Sequence, residues 1–118
     1  MHRFGLHSLL LAVFAIASVL SSGVVRAVDA AAISTGGNGR GAPPGMACHG
    51  VDGGGMAAAG NPRLAAIDAA YLGKQLDDFA NGTRVSPIMQ PVAKALADDE
   101  RQALATYYAK LPLPATLA

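Results

Sequence analysis

Tryptophan is absent from these 118 residues, cysteine occurs once, and aromatic side chains make up 5% of the chain. With Cys48 alone, an intramolecular disulfide is excluded. From Ala31 onward the aromatic inventory is Phe79, Tyr71, Tyr107 and Tyr108, too little bulk for a self-sufficient aromatic core. A domain of this size buries only about 60 to 65% of its unfolded surface and needs a disulfide, a metal or a cofactor as reinforcement. An excess of charge is also lacking. Lysines 74, 94 and 110 and arginines 40, 63, 84 and 101 give seven positive charges from residue 31 onward. Asp52, Asp68, Asp77, Asp78, Asp98, Asp99 and Glu100 give seven negative ones, so the balance is zero. With no basic stripe, nothing in that balance points to nucleic acid or an anionic membrane surface as partner.

A long hydrophobic run is missing too. The apolar block from Leu9 to about Leu20 follows Arg3 and falls short of the roughly 20 residues that span a bilayer. It is followed by Val25-Arg26-Ala27 and Val28-Asp29-Ala30, both acceptable small-x-Ala cleavage sites. This is the layout of a secretory signal peptide over residues 1–30, cut near Ala27 or Ala30, with one domain over 31–118. Membrane attachment is expected only if that segment stays uncleaved.

Residues 31–62 are rich in glycine and proline, which disfavours long helices and regular sheet, so beyond a short helix around Ala30 to Thr35 they read as loop. The character changes at Asp68. Leu72, Leu76 and Phe79 recur at i, i+4 and i+7, a stripe that predicts an amphipathic helix capped by Asp68 and stopped at Asn81-Gly82. A short helix is expected near Pro91. A last one is expected from Asp98 or Asp99, with Leu104, Tyr107 or Tyr108, and Leu111 as its stripe, and Pro112 as its end. No alternating strand pattern is present, so the domain is all-α with long loops.

The chemistry-bearing residues start with Cys48-His49. A thiol that adds to a haem vinyl group leaves the following histidine placed as an iron ligand, although a chance neighbour pair reads the same way. Met89, 40 residues after His49 between Pro87 and Pro91, is either a loop methionine on the core or the thioether opposite a histidine. Pro62 is either a turn residue or the carbonyl that orients the imidazole. Gly53-Gly54-Gly55 lacks the lysine and hydroxyl residue of a phosphate loop. Asp77-Asp78 and Asp98-Asp99-Glu100 read as solvated helix faces or helix starts rather than a metal site. Asn81-Gly82-Thr83 matches a glycosylation acceptor, which has meaning only in a eukaryotic secretory pathway.

In order, "GMACHGVDGGG", "NPRLAA", "AAYLGKQLDDFANGTR" and "IMQPVAKALADDERQALATYYAKLP" resemble the small bacterial class I cytochromes c of the c4, c5 and c553 type. The likeness runs from about Gly36 to Leu111. Its most specific part is the spacing of Tyr71, Leu72, Gln75, Leu76, Phe79, Gly82 and Arg84. The resemblance implies the class I cytochrome c fold, three to four helices and long loops wrapped around one haem c. It implies His49 as proximal iron ligand, Met89 as distal ligand and Cys48 as thioether donor. Pro62 would support His49, and Leu64, Leu72, Leu76 and Phe79 would line the pocket.

Three departures accompany it. Gly45 stands where the family has its first cysteine, so haem is expected through Cys48 alone, and a cysteine restored at 45 is expected to raise loading. The loop "GGNGRGAPPG" is looser than a firm first helix, which weakens the expected contact between first and last helices. Ala97 replaces a frequent serine cap. The implied function is a periplasmic electron carrier, not an enzyme, cycling iron between Fe(III) and Fe(II). It would meet a redox partner protein (oxidase, reductase or dehydrogenase) through a transient interface. Two alternatives stand beside it: a haem-based ligand binder or sensor, and a haem-free partner-binding domain.

Overall fold

The computed structural model describes Gly23 and residues 26–117, so the apolar block of the expected signal peptide lies outside the described residues. Among them are five α-helices: α1 (Ala30–Gly36), α2 (Met46–His49), α3 (Ala69–Asn81), α4 (Met89–Ala95) and α5 (Asp98–Lys110). Two 3-10 turns, Ala57–Ala59 and Ala115–Leu117, complete the set. The only extended pairing among the described residues is an isolated bridge between Met56 and Asn61. The helix count exceeds the expected three to four because the Cys48-His49 stretch, expected as loop, winds into one turn. The amides of Cys48 and His49 both donate to the Gly45 carbonyl, at 3.1 and 2.9 Å. No described helix is long and apolar enough to cross a membrane.

Two of the helices start at an aspartate cap. The Asp29 carboxylate accepts from Ala32 N–H at 2.9 Å to open α1, and Asp68 does the same for Tyr71 N–H at 2.9 Å to open α3. At the other end of α3, Gly82 turns left-handed at φ +84 and its amide donates to Phe79. At α5, alanine 97 has no side-chain acceptor, and the missing serine is replaced from inside the helix. The Glu100 carboxylate reaches back to Ala97 N–H at 2.9 Å, while Asp99 Oδ1 accepts from Glu100 N–H at 2.9 Å.

Glu100 also corrects the expectation of a loose loop. It is 8% exposed, and it accepts from Arg40 at 2.6 Å and from Asn38 Nδ2 at 3.2 Å. Burial alone would raise its pKa. The Ala97 amide, Arg40 and Asn38 outweigh that and hold the carboxyl below its ordinary value. Asn38 in turn accepts from the amides of Arg40 and Ala42, at 2.9 and 3.1 Å, and donates to the Ala95 carbonyl at 2.7 Å. The glycine-rich loop is therefore tied to the start of α5 and the end of α4. Helix α1 does pack on α5, through a hydrogen bond of 2.8 Å between Ser34 Oγ and Tyr108 Oη.

Helix α3 packs on both α4 and α5, with Leu72, Leu96, Leu104, Ala105 and Tyr108 at the common centre. Of the two adjacent tyrosines, Tyr108 is the buried one, at 6% exposed. Arg101 clamps the outside, donating to Asp77 on α3 at 2.7 Å, to the Leu96 carbonyl at 2.7 Å and to Asp98. No large side chain among the described residues is fully buried, because the central apolar residues border a cavity.

Candidate functional site

That cavity has a volume of about 600 Å³, within the range of roughly 300 to 1,000 Å³ typical of small-molecule and cofactor sites. It brings together all eight residues singled out from the sequence: Cys48, His49, Pro62, Leu64, Leu72, Leu76, Phe79 and Met89 all border it. Aspartate and glutamate are absent from the lining, and its two cationic side chains are Arg63 and Arg84.

The imidazole is positioned by the loop region. After the α2 turn, Gly50 at φ +87 reverses the chain, and the bridge between Met56 and Asn61 folds residues 55–62 back alongside. The His49 carbonyl accepts from Gly55 N–H at 2.7 Å, and the Cys48 carbonyl accepts from Asn61 Nδ2 at 2.9 Å. The close approach depends on Gly55. At φ +88, a Cβ there would stand 2.7 Å from the Arg63 nitrogen and 2.8 Å from the Pro62 carbonyl carbon. The strand of chain thus seated places the Pro62 carbonyl 2.8 Å from His49 Nδ1.

A carbonyl oxygen can only accept, so Nδ1 carries the proton and donates it. Nε2 is then the ring nitrogen left over for a ligand. His49 is 7% exposed and borders the cavity. Cys48, on the same turn, is exposed and also borders it.

The helical region supplies the other side chains. Leu72 and Phe79, each 8% exposed, and the half-buried Leu76 form the α3 stripe. The Arg84 guanidinium lies 4.5 Å from the centre of the Phe79 ring and donates to Gln75 Oε1 at 2.6 Å. This contact ties Gln75, Phe79 and Arg84 into one unit. At the start of α4, Ser86 Oγ accepts from Met89 N–H at 3.1 Å, and the Ser86 amide donates back to Gln90 at 3.3 Å. Met89 is thereby fixed to a helix start, not left on a free loop. Val92 and Leu96 also border the cavity and had not been singled out. Their signal was available, since Met89, Val92 and Leu96 stand at i, i+3 and i+7.

The donor set fits a haem. A histidine and a methionine border one apolar cavity, a thiol lies beside the histidine, and two arginines without a carboxylate in the lining suit a group that carries carboxylates.

Known proteins resemble this chain in sequence and in fold. Residues 46–112 match the model of the family described as cytochrome c. The chain is 50% identical over 102 residues to the thiosulfate dehydrogenase electron acceptor of Stutzerimonas stutzeri strain A1501, a match covering 84% of this chain and 46% of that protein. The crystal structure of reduced recombinant cytochrome c4 from Pseudomonas stutzeri superposes with a TM-score of 0.68 at 35% identity, covering 70% of this chain and 46% of that one. The "as isolated" form of thiosulfate dehydrogenase (TsdBA) from Marichromatium purpuratum superposes equally well, TM-score 0.68 at 35% identity, over 71% of this chain and 18% of that one. The chain thus spans less than half the length of each of these relatives.

Proposed function

The chain belongs to the cytochrome c family, and on that premise we propose that it is a periplasmic c-type cytochrome that passes single electrons between redox partner proteins. The observation that carries the reading is His49, with Nδ1 committed to the Pro62 carbonyl at 2.8 Å, sharing one apolar cavity with Met89. In this proposal a single haem c, when bound, supplies one-electron exchange between Fe(III) and Fe(II).

The residues divide the remaining work. His49 and Met89 would hold the iron, with Pro62 orienting the imidazole ring. Cys48 would hold the haem through one thioether, formed when its S–H adds across a vinyl C=C, so that one C–S and one C–H bond replace the S–H and the π bond and no electron is lost. Leu64, Leu72, Leu76 and Phe79 exclude water, which together with a methionine ligand favours the reduced state and raises the potential. Arg63 and Arg84 meet the carboxylates at the rim. No bond is rearranged in the partner, so the role is transfer rather than catalysis.

The Met89 backbone, held at the start of α4 by Ser86 Oγ and flanked by Pro87 and Pro91, supports a carrier over a gas sensor, which needs a methionine that leaves. The partner is a redox enzyme met through a small transient surface, below about 1,200 Å². The relative named as the electron acceptor of thiosulfate dehydrogenase makes an oxidising enzyme of that chemical kind the first to assay. Periplasmic export follows from the expected signal peptide, and cleavage after Ala27 suits the fold better than after Ala30. It retains Asp29, whose carboxylate caps α1, and Ala30, which packs on the core.

The test is electron transfer in solution. Purified protein, oxidised and mixed with a reduced donor enzyme, should show stoichiometric one-electron reduction in its visible spectrum. Protein that binds no haem, or holds haem that no donor reduces, overturns the proposal.

A further inference from the structure

Helix α4 carries Met89 as its first residue and is only seven residues long. So short a helix makes too few internal hydrogen bonds to hold its own place. It is held from outside, by packing on α3 and at its two ends. At the start, Ser86 Oγ accepts from Met89 N–H at 3.1 Å. At the far end, the carbonyls that a helix leaves without partners are met by two side chains from other parts of the chain. Asn38 Nδ2 donates to the Ala95 carbonyl at 2.7 Å. Arg101 donates to the Leu96 carbonyl at 2.7 Å and to the Ala93 carbonyl at 3.3 Å. Ala93 and Leu96 are 0 and 4% exposed, so this end cannot slide without opening the core.

The two clamps differ in what they join. Arg101 lies on α5 and is itself held by Asp77 and Asp98, so it ties α4 to the other helices. Asn38 lies on the segment that runs on into the Cys48-His49 turn. Its amide group is fully committed: Nδ2 donates to Ala95 and, at 3.2 Å, to Glu100, and Oδ1 accepts from the amides of Arg40 and Ala42. Two donors and two acceptor positions are all that an asparagine side chain has, so its orientation is fixed. We propose that Asn38 is a positioning residue for Met89: through the Ala95 carbonyl it locks α4 against the segment that carries His49, and so keeps the methionine committed to the iron. The assignment rests on the haem reading above. It follows the general rule that a ligand stays in place only as well as the groups behind it are held.

Asn38→Asp makes the idea testable apart from folding. A carboxylate there keeps both acceptor bonds to the Arg40 and Ala42 amides, gives up the donor to Ala95 and adds a like charge beside Glu100. Asp29→Ala, which removes the α1 cap, is the control for a loss of stability alone. Wild type, Asn38→Asp, Asn38→Ala and Asp29→Ala are produced in a bacterial periplasm and compared, folded, at neutral pH. Two readouts follow the methionine: the sulfur-to-iron charge-transfer band of the oxidised protein and carbon monoxide binding by the reduced protein. Both Asn38 variants are expected to lose intensity in that band and to bind carbon monoxide about tenfold more tightly than wild type, with Asp29→Ala unchanged. A wild-type band and carbon monoxide affinity in Asn38→Asp, or the same change in Asp29→Ala, overturns the proposal.

Hydrogen exchange gives a readout that needs no haem. In the chain itself the α4 amides are expected to exchange about tenfold faster relative to those of α3 in both Asn38 variants, with the ratio unchanged in Asp29→Ala. An unchanged ratio in Asn38→Asp and Asn38→Ala overturns the proposal. A wild-type chain without haem would defeat the proposed function, while this ratio would still decide whether Asn38 holds α4.

Discussion

Residues 38–66 and residues 69–110 border the same cavity but are held in place differently. The first region has almost no regular structure and fixes its groups by individual hydrogen bonds: Asn38 to four partners, Asn61 to the Cys48 carbonyl, His49 to the Pro62 carbonyl. The second is held by an apolar stripe repeated along helices, with caps at the ends. In a hydrogen-bonded loop each bond joins one specific pair of atoms, so a single change displaces a functional atom. Packed stripes share the load over many contacts and absorb substitutions. The ligand that must be oriented, an imidazole, sits in the first region. The thioether, which tolerates rotation, starts a helix in the second.

The contrast is broken most severely at His49. His49→Ala should lower the haem content of periplasmic protein at least about tenfold by pyridine haemochrome, whereas Met89→Ala should retain haem. The Met89 variant should show a lower midpoint potential in a redox titration and should bind carbon monoxide at neutral pH, which wild type resists. Equal haem loss in both would erase the distinction between the two regions.

Next comes the loop scaffold itself. Asn38→Ala strands the amides of Arg40 and Ala42 and the Ala95 carbonyl, and should cost about 2 kcal/mol in denaturant unfolding. A loss below about 0.5 kcal/mol would mean that the loop is held by packing after all.

A smaller effect belongs to pH. Because the Glu100 carboxyl titrates below its ordinary value in the folded chain, its contribution is complete above the unfolded pKa, about 4.3. The contribution is lost as pH falls through the folded value. Wild type should lose thermal stability below about pH 4.3 more steeply than Glu100→Gln does. Parallel pH profiles would remove Glu100 from the account. The smallest effect is expected on the helical surface: Lys74→Ala breaks an exposed i,i+4 pair with Asp78 and should change stability by no more than about 0.5 kcal/mol.

The two regions also differed in how far the sequence could be read. Helix α3 could be traced from Asp68 to Gly82, because its stripe, cap and stop are all local signals. Met89, Val92 and Leu96 carry the same kind of signal. In the loop region the residues that matter were visible by type, but their geometry was not. That Glu100 would reach Asn38 and Arg40, about 60 positions away, depends on contacts that no local pattern encodes.

The measurement that tests the central claim most directly is haem staining of the periplasmically expressed protein on a denaturing gel, with a pyridine haemochrome spectrum of the same sample. The account predicts haem that stays with the chain under denaturation and shows one vinyl group still unsaturated. A chain that carries no haem, from cells that load an ordinary two-cysteine cytochrome c, would contradict it.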